Sequence, residues 1–361
     1  MLFPLPSSSM YKIDKPLSDR INLLKFLSIV MVVYIHTGSD GSACPDPMGL
    51  HIIEDFFRFF MYMVTQSIAR TAVPLFFLIS AVLLFAKDIS WTHNIRKKCN
   101  TVLLPYLFWN SFWIMICFTA QTIPSISGIF PRDSYYIRGY TTLDWLKAYT
   151  YLNGNYPYLY TLWFLRDLFL MNLCFPFIKK AVDRAPRMML LIITVFWICN
   201  INVTFLDCQT IVFFIAGYYI VKYNLDIRRV DHIPWKIVII PYSIFLLLDY
   251  IFRSSFPAIH SITILIGIVF FIKLSGSLIH RKISEILLRL SKYSFIIYAF
   301  HEMNLSLIKK VLSILLPSSL LVQVAELIIL PFAIILECIL FGIIFKKLFP
   351  KLYFLTTGNR G

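Results

Sequence analysis

The sequence predicts an all-α, polytopic integral membrane protein of about ten spanning helices, with both termini on the cytoplasmic side. Three observations carry this prediction. Of 361 residues, 58% are hydrophobic and 15% are charged, and the mean hydropathy is +0.73. A water-soluble chain carries about a quarter of charged residues. The apolar residues gather into runs approaching the ~20 residues that a helix needs to cross the hydrocarbon of a bilayer. The basic residues are also sorted. If the amino terminus is cytoplasmic, the inner segments hold 24 of the 34 Lys and Arg and the outer segments eight. Cytoplasmic loops of membrane proteins show this bias. The net charge of +15 is explained by that sorting and calls for no nucleic-acid partner.

Residues 1–19, with Lys12, Lys15 and Pro16, read as a cytoplasmic tail; a single membrane domain, 20–347, and a second short tail, 348–361, follow. The first run, 20–38 (RINLLKFLSIVMVVYIHTG), is not followed by a small-residue cleavage site and is expected to remain as a signal anchor. Segment 39–65 contains Cys44-Pro-Asp-Pro and the acidic Asp40, Asp46, Glu54 and Asp55. Its second half, 52–64, is apolar on part of its circumference and is expected along the membrane interface. The second run, about 69–85, has Arg70 at its start, and the cluster Arg96-Lys97-Lys98 precedes the third run, about 102–121. Pro105 in the opening turn of that run costs little, since its missing N–H would have had no partner there. Segment 122–157, rich in Gly, Pro, Asn and Tyr, is expected as the largest loop. The remaining runs are about 158–178, 188–205, 209–221, 235–252, 258–272, 291–308 and 320–345, the run 209–221 being the shortest. Seven cysteines lie scattered without CxxC or His-x-Cys spacing, so neither a disulfide framework nor a metal site is expected.

Polar residues inside apolar runs are where function is sought, because an unpaired charge there is costly. The first run carries Lys25 and His36 with ten residues between them. Eleven helical steps make close to three turns, so the two share a face ~16 Å apart along the axis. Lys25 could equally snorkel to the inner headgroups, and His36 could be a hydrogen-bonded structural residue at the outer interface. Arg96, Lys97 and Lys98 have the ordinary explanation of inner-face charge. Arg166, Asp167 and Glu302 lie within runs. They read either as a structural ion pair or as carboxylates that orient His36 or His301. Tyr298 and His301, three residues apart, share a helix face and are expected to line one cavity with His36.

Five segments, in order, resemble the membrane-bound acyltransferase family 3, whose members O-acylate glycans. The first run matches the family's Arg, ten residues, then His, with Lys25 standing where the family has Arg. Arg70-Thr-Ala-Val-Pro-Leu-Phe-Phe-Leu-Ile-Ser80 is similar to its second helix, with Ala81 where Gly is usual. Leu162-Trp163-Phe164-Leu165, Phe214-Ile-Ala-Gly217 and Ser294-Phe-Ile-Ile-Tyr298-Ala-Phe-His301 resemble later helices, and Pro105-Tyr106 matches the opening of the third. The chain stops soon after the last run, so the stand-alone form is expected, without an extracytoplasmic esterase-like domain. The resemblance implies a transferase with acyl-CoA, typically acetyl-CoA, as cytoplasmic donor, and no bound cofactor. It implies a surface polysaccharide or lipid-linked glycan as acceptor, and a bacterial inner membrane as location. His36 would act as general base or take the acyl group itself. Lys25 and Arg96 would bind the phosphates of coenzyme A. Arg70, Trp163, Tyr298 and His301, on the matched segments, would line or support the site; Asp167 and Glu302, which the resemblance does not fix, are supporting candidates on their placement within runs alone. A polysaccharide-unit transporter or flippase would also need polar residues in a helical bundle, but leaves the Lys25–His36 arrangement unexplained. A purely structural subunit leaves the buried charges unexplained.

Overall fold

A computed structural model describes residues 11–38, 52–87, 89–123, 137–150, 156–199, 201, 206–317 and 319–359. Cys44, Asp40 and Asp46 lie outside the described residues. The structure is helical, with no strand among the described residues. In chain order the α-helices are α1 (Lys15–Thr37), α2 (Ile52–Tyr62), α3 (Ala72–Phe85), α4 (Trp91–Lys98), α5 (Leu104–Thr122), α6 (Thr142–Tyr149), α7 (Trp163–Arg184) and α8 (Pro186–Ile198). They continue with α9 (Cys208–Lys222), α10 (Trp235–Phe252), α11 (Ala258–Leu278), α12 (Ile283–Leu290), α13 (Ser294–Leu315), α14 (Leu320–Leu348) and α15 (Pro350–Thr356). Each of the ten expected runs is occupied by a helix. Among the described residues seven helices are by themselves long and apolar enough to cross a membrane, and α8 and α9 are shorter apolar helices. Helix α13 has the length, at 22 residues, but carries His301, Glu302, Lys309 and Lys310.

Helix α1 is the axis of the bundle and packs against α3, α11, α12, α13 and α14. It starts ahead of the expected position, where Asp14 accepts from the Leu17 N–H at 2.9 Å and Pro16 occupies the first turn. That bond and the Arg228 guanidinium hold the Asp14 carboxyl below its ordinary range. Arg20 belongs to the inner basic belt by sequence, but its side chain is buried, at 3% exposure. Its fork meets both oxygens of Asp231 at 2.7 Å, its Nε donates to Ser275 Oγ at 2.9 Å and its Nη2 to the Ile272 carbonyl at 2.5 Å. Every edge of the guanidinium is engaged, which is the condition under which a buried charge is tolerated.

The segment expected along the interface, 52–64, instead runs directly into the second span, so that a helix extends over Phe56–Phe85. It contains a π-helical stretch, Met63–Ile68, and a 3₁₀ turn, Ala69–Thr71. A second π-helical stretch, Cys99–Leu103, joins α4 to α5. Each precedes a proline, Pro74 or Pro105. Proline cannot donate to the carbonyl four residues back, and the helix rearranges upstream to accommodate it. The expected starts at 69 and 102 coincide with these distortions.

Helices α3 and α9 touch closely. A Cβ on Gly217 would lie 2.5 Å from the Leu78 carbonyl oxygen and 2.6 Å from the Ala81 Cβ. Small residues at such crossings let membrane helices approach. The expected long loop contains α6, whose cap is the reciprocal pair Thr141 and Asp144. Asn110 of α5 ties this segment down, donating to the Ala148 carbonyl at 2.8 Å and accepting from the Leu159 N–H at 2.9 Å. The two expected tails are partly packed. Tyr11 is buried, and Asp14 pairs with Arg228 at 2.7 Å. After α14 the chain folds back as α15, burying Tyr353, and the Thr356 carbonyl accepts from Trp109 Nε1 at 3.0 Å. Gly358 lies against the backbone of Thr101.

Candidate active site

A cavity of about 590 Å³ opens at the end of the bundle where α1, α8 and α10 finish and α7, α9 and α11 begin. The main clusters of basic residues lie at the other end of these helices. His36 reaches the cavity from the last turn of α1. Lys309 of α13 supports that turn, donating to the carbonyls of Thr37 and Gly38 at 3.1 and 3.3 Å. A cation is favourable at a helix carboxyl end, where the last carbonyls lack partners.

The ring of His36 is held on two sides. Its Nδ1 lies 2.6 Å from the Tyr160 hydroxyl, with ring centroids 5.4 Å apart. The ring of His301 packs behind it at 5.3 Å. Tyr160 occupies the 3₁₀ turn that starts α7, which Asn110 anchors through Leu159. With Nδ1–H donating to the tyrosine oxygen, His36 Nε2 carries the lone pair; in the other tautomer Tyr160 donates and Nε2 carries the proton. His301 is fully buried, and its Nδ1–H points at the carbonyls of Ile297 and Tyr298, at 2.8 and 3.0 Å. Its Nε2 has no partner among the described residues.

The expected supporting residues divide. Arg70, Trp163 and Tyr298 line the cavity with His36. Tyr298 also donates to the Thr161 carbonyl at 2.6 Å, which fastens α13 to the start of α7. His301 backs His36 rather than lining the wall. Asp167 and Glu302 do not line the cavity. Asp167 accepts from its neighbour Arg166 at 2.6 and 2.8 Å, so the ion-pair reading of these two holds. Glu302 accepts from Ser306 at 3.0 Å. Neither carboxylate orients His36 or His301; a tyrosine hydroxyl and two main-chain carbonyls do. Lys25 is half-buried at mid-α1 and Arg96 is exposed in the last turn of α4; neither lines the cavity.

A carboxylate–histidine pair is present elsewhere on the wall, at residues that no motif in the sequence singles out. His260 faces the cavity, and its Nδ1 lies 3.1 Å from Asp249, which is fully buried and also accepts from Ser67 at 2.6 Å. Arg253, Tyr156, Tyr160, Trp197, Asp207 and Gln209 complete the polar and aromatic wall. Most of these sit at the ends of runs, where polar and aromatic residues are routine at a membrane interface. The signal available was the spacing of Asp249, Arg253 and His260 across one short turn. Among the described residues no cluster of His, Cys, Asp and Glu could hold a metal ion.

Such a site offers a positioned imidazole, a second imidazole on a carboxylate, two guanidinium groups and flat aromatic surfaces. No solved structure matches the chain. In sequence it is similar to the succinoglycan biosynthesis protein ExoH of Rhizobium meliloti (strain 1021), 29% identical over 222 residues. That match spans 60% of this chain and 58% of the relative. The family described as Acyltransferase domain (Acyl_transf_3) matches residues 18–345, nearly the whole helical bundle including His36 and its surroundings, and the chain belongs to that family.

Proposed function

We propose that the protein is a membrane O-acyltransferase, of the O-acetyl type, that moves an acyl group from cytoplasmic acyl-CoA to a hydroxyl of a surface polysaccharide or lipid-linked glycan in a bacterial inner membrane. The observation that carries this reading is His36 itself: an imidazole on an open cavity, its Nδ1 held by Tyr160 and its ring braced by His301. When Tyr160 accepts from Nδ1–H, Nε2 is free to take the proton of an acceptor hydroxyl. The hydroxyl oxygen then attacks the thioester carbonyl, the C–O bond forms, the C–S bond breaks and the coenzyme A thiolate leaves. Tyr160 stabilises the imidazolium that forms. In the covalent variant Nε2 attacks the thioester carbonyl, the C–S bond breaks and the coenzyme A thiolate leaves; the acceptor hydroxyl then attacks the acyl carbon, the C–N bond breaks, and the released imidazole takes the hydroxyl proton.

The arrangement of the bundle supports the sidedness. Basic residues crowd the end opposite the cavity, and the positive-inside rule favours that end as the cytoplasmic one. Asp14 against Arg228, and Gly358 against Thr101, put both described ends of the chain beside basic segments, which supports an even number of crossings. Lys25 then lies between the cytoplasmic face and His36, where it can meet the donor's phosphates, with Arg96 at the membrane surface. The aromatic wall of Trp163, Trp197 and Tyr156 suits sugar rings. Incubating membranes that contain the protein with radiolabelled acetyl-CoA tests the reading: label is expected in glycan. Export of unmodified glycan units without label would favour the transporter instead.

A further inference from the structure

The cavity holds two arginines that share a neutral scaffold. Arg70 Nη2 donates to Gln66 Oε1 at 2.6 Å, and Arg253 Nη1 donates to the carbonyl of the same Gln66 at 3.1 Å. Arg253 also reaches the Tyr62 hydroxyl at 3.3 Å and lies over that ring at 5.9 Å. All of these partners are uncharged. Among the described residues neither guanidinium is within ion-pair distance of a carboxylate. The Nε of Arg70 is buried without a hydrogen-bond partner. The nearby carboxylates among the described residues are engaged elsewhere. Asp249 accepts from Ser67 and faces His260, and Asp207 caps α9 by accepting from the Gln209 N–H at 2.9 Å.

Two cations at the edge of a low-dielectric bundle repel each other and remain partly desolvated. That cost is offset when an anion sits against both. A guanidinium presents two parallel N–H donors, which match the two oxygens of a carboxylate or phosphate. We infer that Arg70 and Arg253 form an anion subsite beside His36, which takes a carboxylate carried by one of the two reacting partners. The anion is either a substituent of the acceptor glycan or a carboxylate at the far end of the acyl chain. The inference rests on the acyltransferase reading and adds to it a requirement for negative charge on the substrate.

The test uses the full-length protein in membranes, with acetyl-CoA or succinyl-CoA as donor and a neutral or a uronic-acid-containing oligosaccharide as acceptor. One charged substrate is expected to exceed its neutral counterpart in kcat/KM by about tenfold or more, the worth of one charge-assisted hydrogen bond. Preference for succinyl-CoA places the anion on the acyl chain, and preference for the uronic-acid acceptor places it on the glycan. Arg70→Gln and Arg253→Gln are each expected to shrink that preference, and Arg253→Lys to keep part of it. Transfer that is indifferent to charge in both arms overturns the subsite and leaves the acyltransferase reading standing. So does a preference that survives in both glutamine variants. Absence of transfer from either donor to either acceptor overturns the reading itself, and the subsite with it. The comparison on the unaltered protein can refute the subsite whether or not the variants fold.

Discussion

Replacing Tyr160 by Phe removes one oxygen from the site and leaves the aromatic ring, and with it the packing on His36 at 5.4 Å. The oxygen lies 2.6 Å from His36 Nδ1. When His36 takes the acceptor's proton, Nδ1–H becomes part of a cation and its bond to Tyr160 strengthens. A hydrogen bond to a charged group contributes roughly 1.5–3 kcal/mol, so losing it from the transition state lowers kcat by about 10- to 150-fold. The bond is not made to either substrate, so the KM values for acyl-CoA and glycan should move much less than kcat. Initial rates of label transfer at saturating donor, with protein amount matched by immunoblot, measure this. His36→Ala supplies the background. A Tyr160→Phe kcat within about twofold of the unaltered protein would refute the idea that this hydroxyl sets the His36 tautomer. A tenfold rise in KM with unchanged kcat would recast Tyr160 as a substrate contact.

Three other outcomes are expected. His36→Ala abolishes acylation while insertion and expression stay near normal, read by membrane fractionation beside the transfer assay; turnover near that of the unaltered protein would remove His36 from the chemistry. Lys25→Ala raises the KM for acyl-CoA with less effect on kcat, and Lys25→Arg keeps or improves affinity because its fork binds phosphate at two points. A change confined to the acceptor KM would reassign Lys25 to the glycan. Gly217→Ala lowers stability by about 1–3 kcal/mol, the usual cost of overpacking, because its Cβ meets the Leu78 carbonyl at 2.5 Å and the Ala81 Cβ at 2.6 Å. Adding Ala81→Gly should restore only part of it, since the Leu78 backbone remains in the way. Thermal unfolding of the detergent-solubilised protein reads both variants, and an unchanged melting temperature for Gly217→Ala would show that the two helices separate freely.

The sequence by itself determined the helical class, the positions of the ten helical runs and the prominence of His36. Those features are local: an apolar run declares itself through its neighbours, and a histidine within one stands out against them. Local pattern also placed Lys25 and His36 about three turns apart on α1. What it could not decide was which side chains meet. Arg20 finds Asp231 across 211 residues, His36 finds Tyr160 across 124, and the ring of His301 lies behind His36 although they are far apart in the chain. Each of these contacts depends on how helices pack, and no periodicity within one helix encodes it. The same limit explains the two carboxylates. Asp167 and Glu302 stand out because they interrupt apolar runs, yet their partners are local, the neighbouring Arg166 and Ser306 one turn on, and the packing of the bundle leaves both carboxylates off the cavity wall. Asp249 and His260, at the ends of α10 and α11, resembled ordinary interface residues until the packing of those helices buried one and aimed the other into the cavity. Hydrophobic patterning sets where a helix lies along the chain, but the rotation and neighbours of each helix, and so the membership of the site, are set by side-chain packing throughout the bundle.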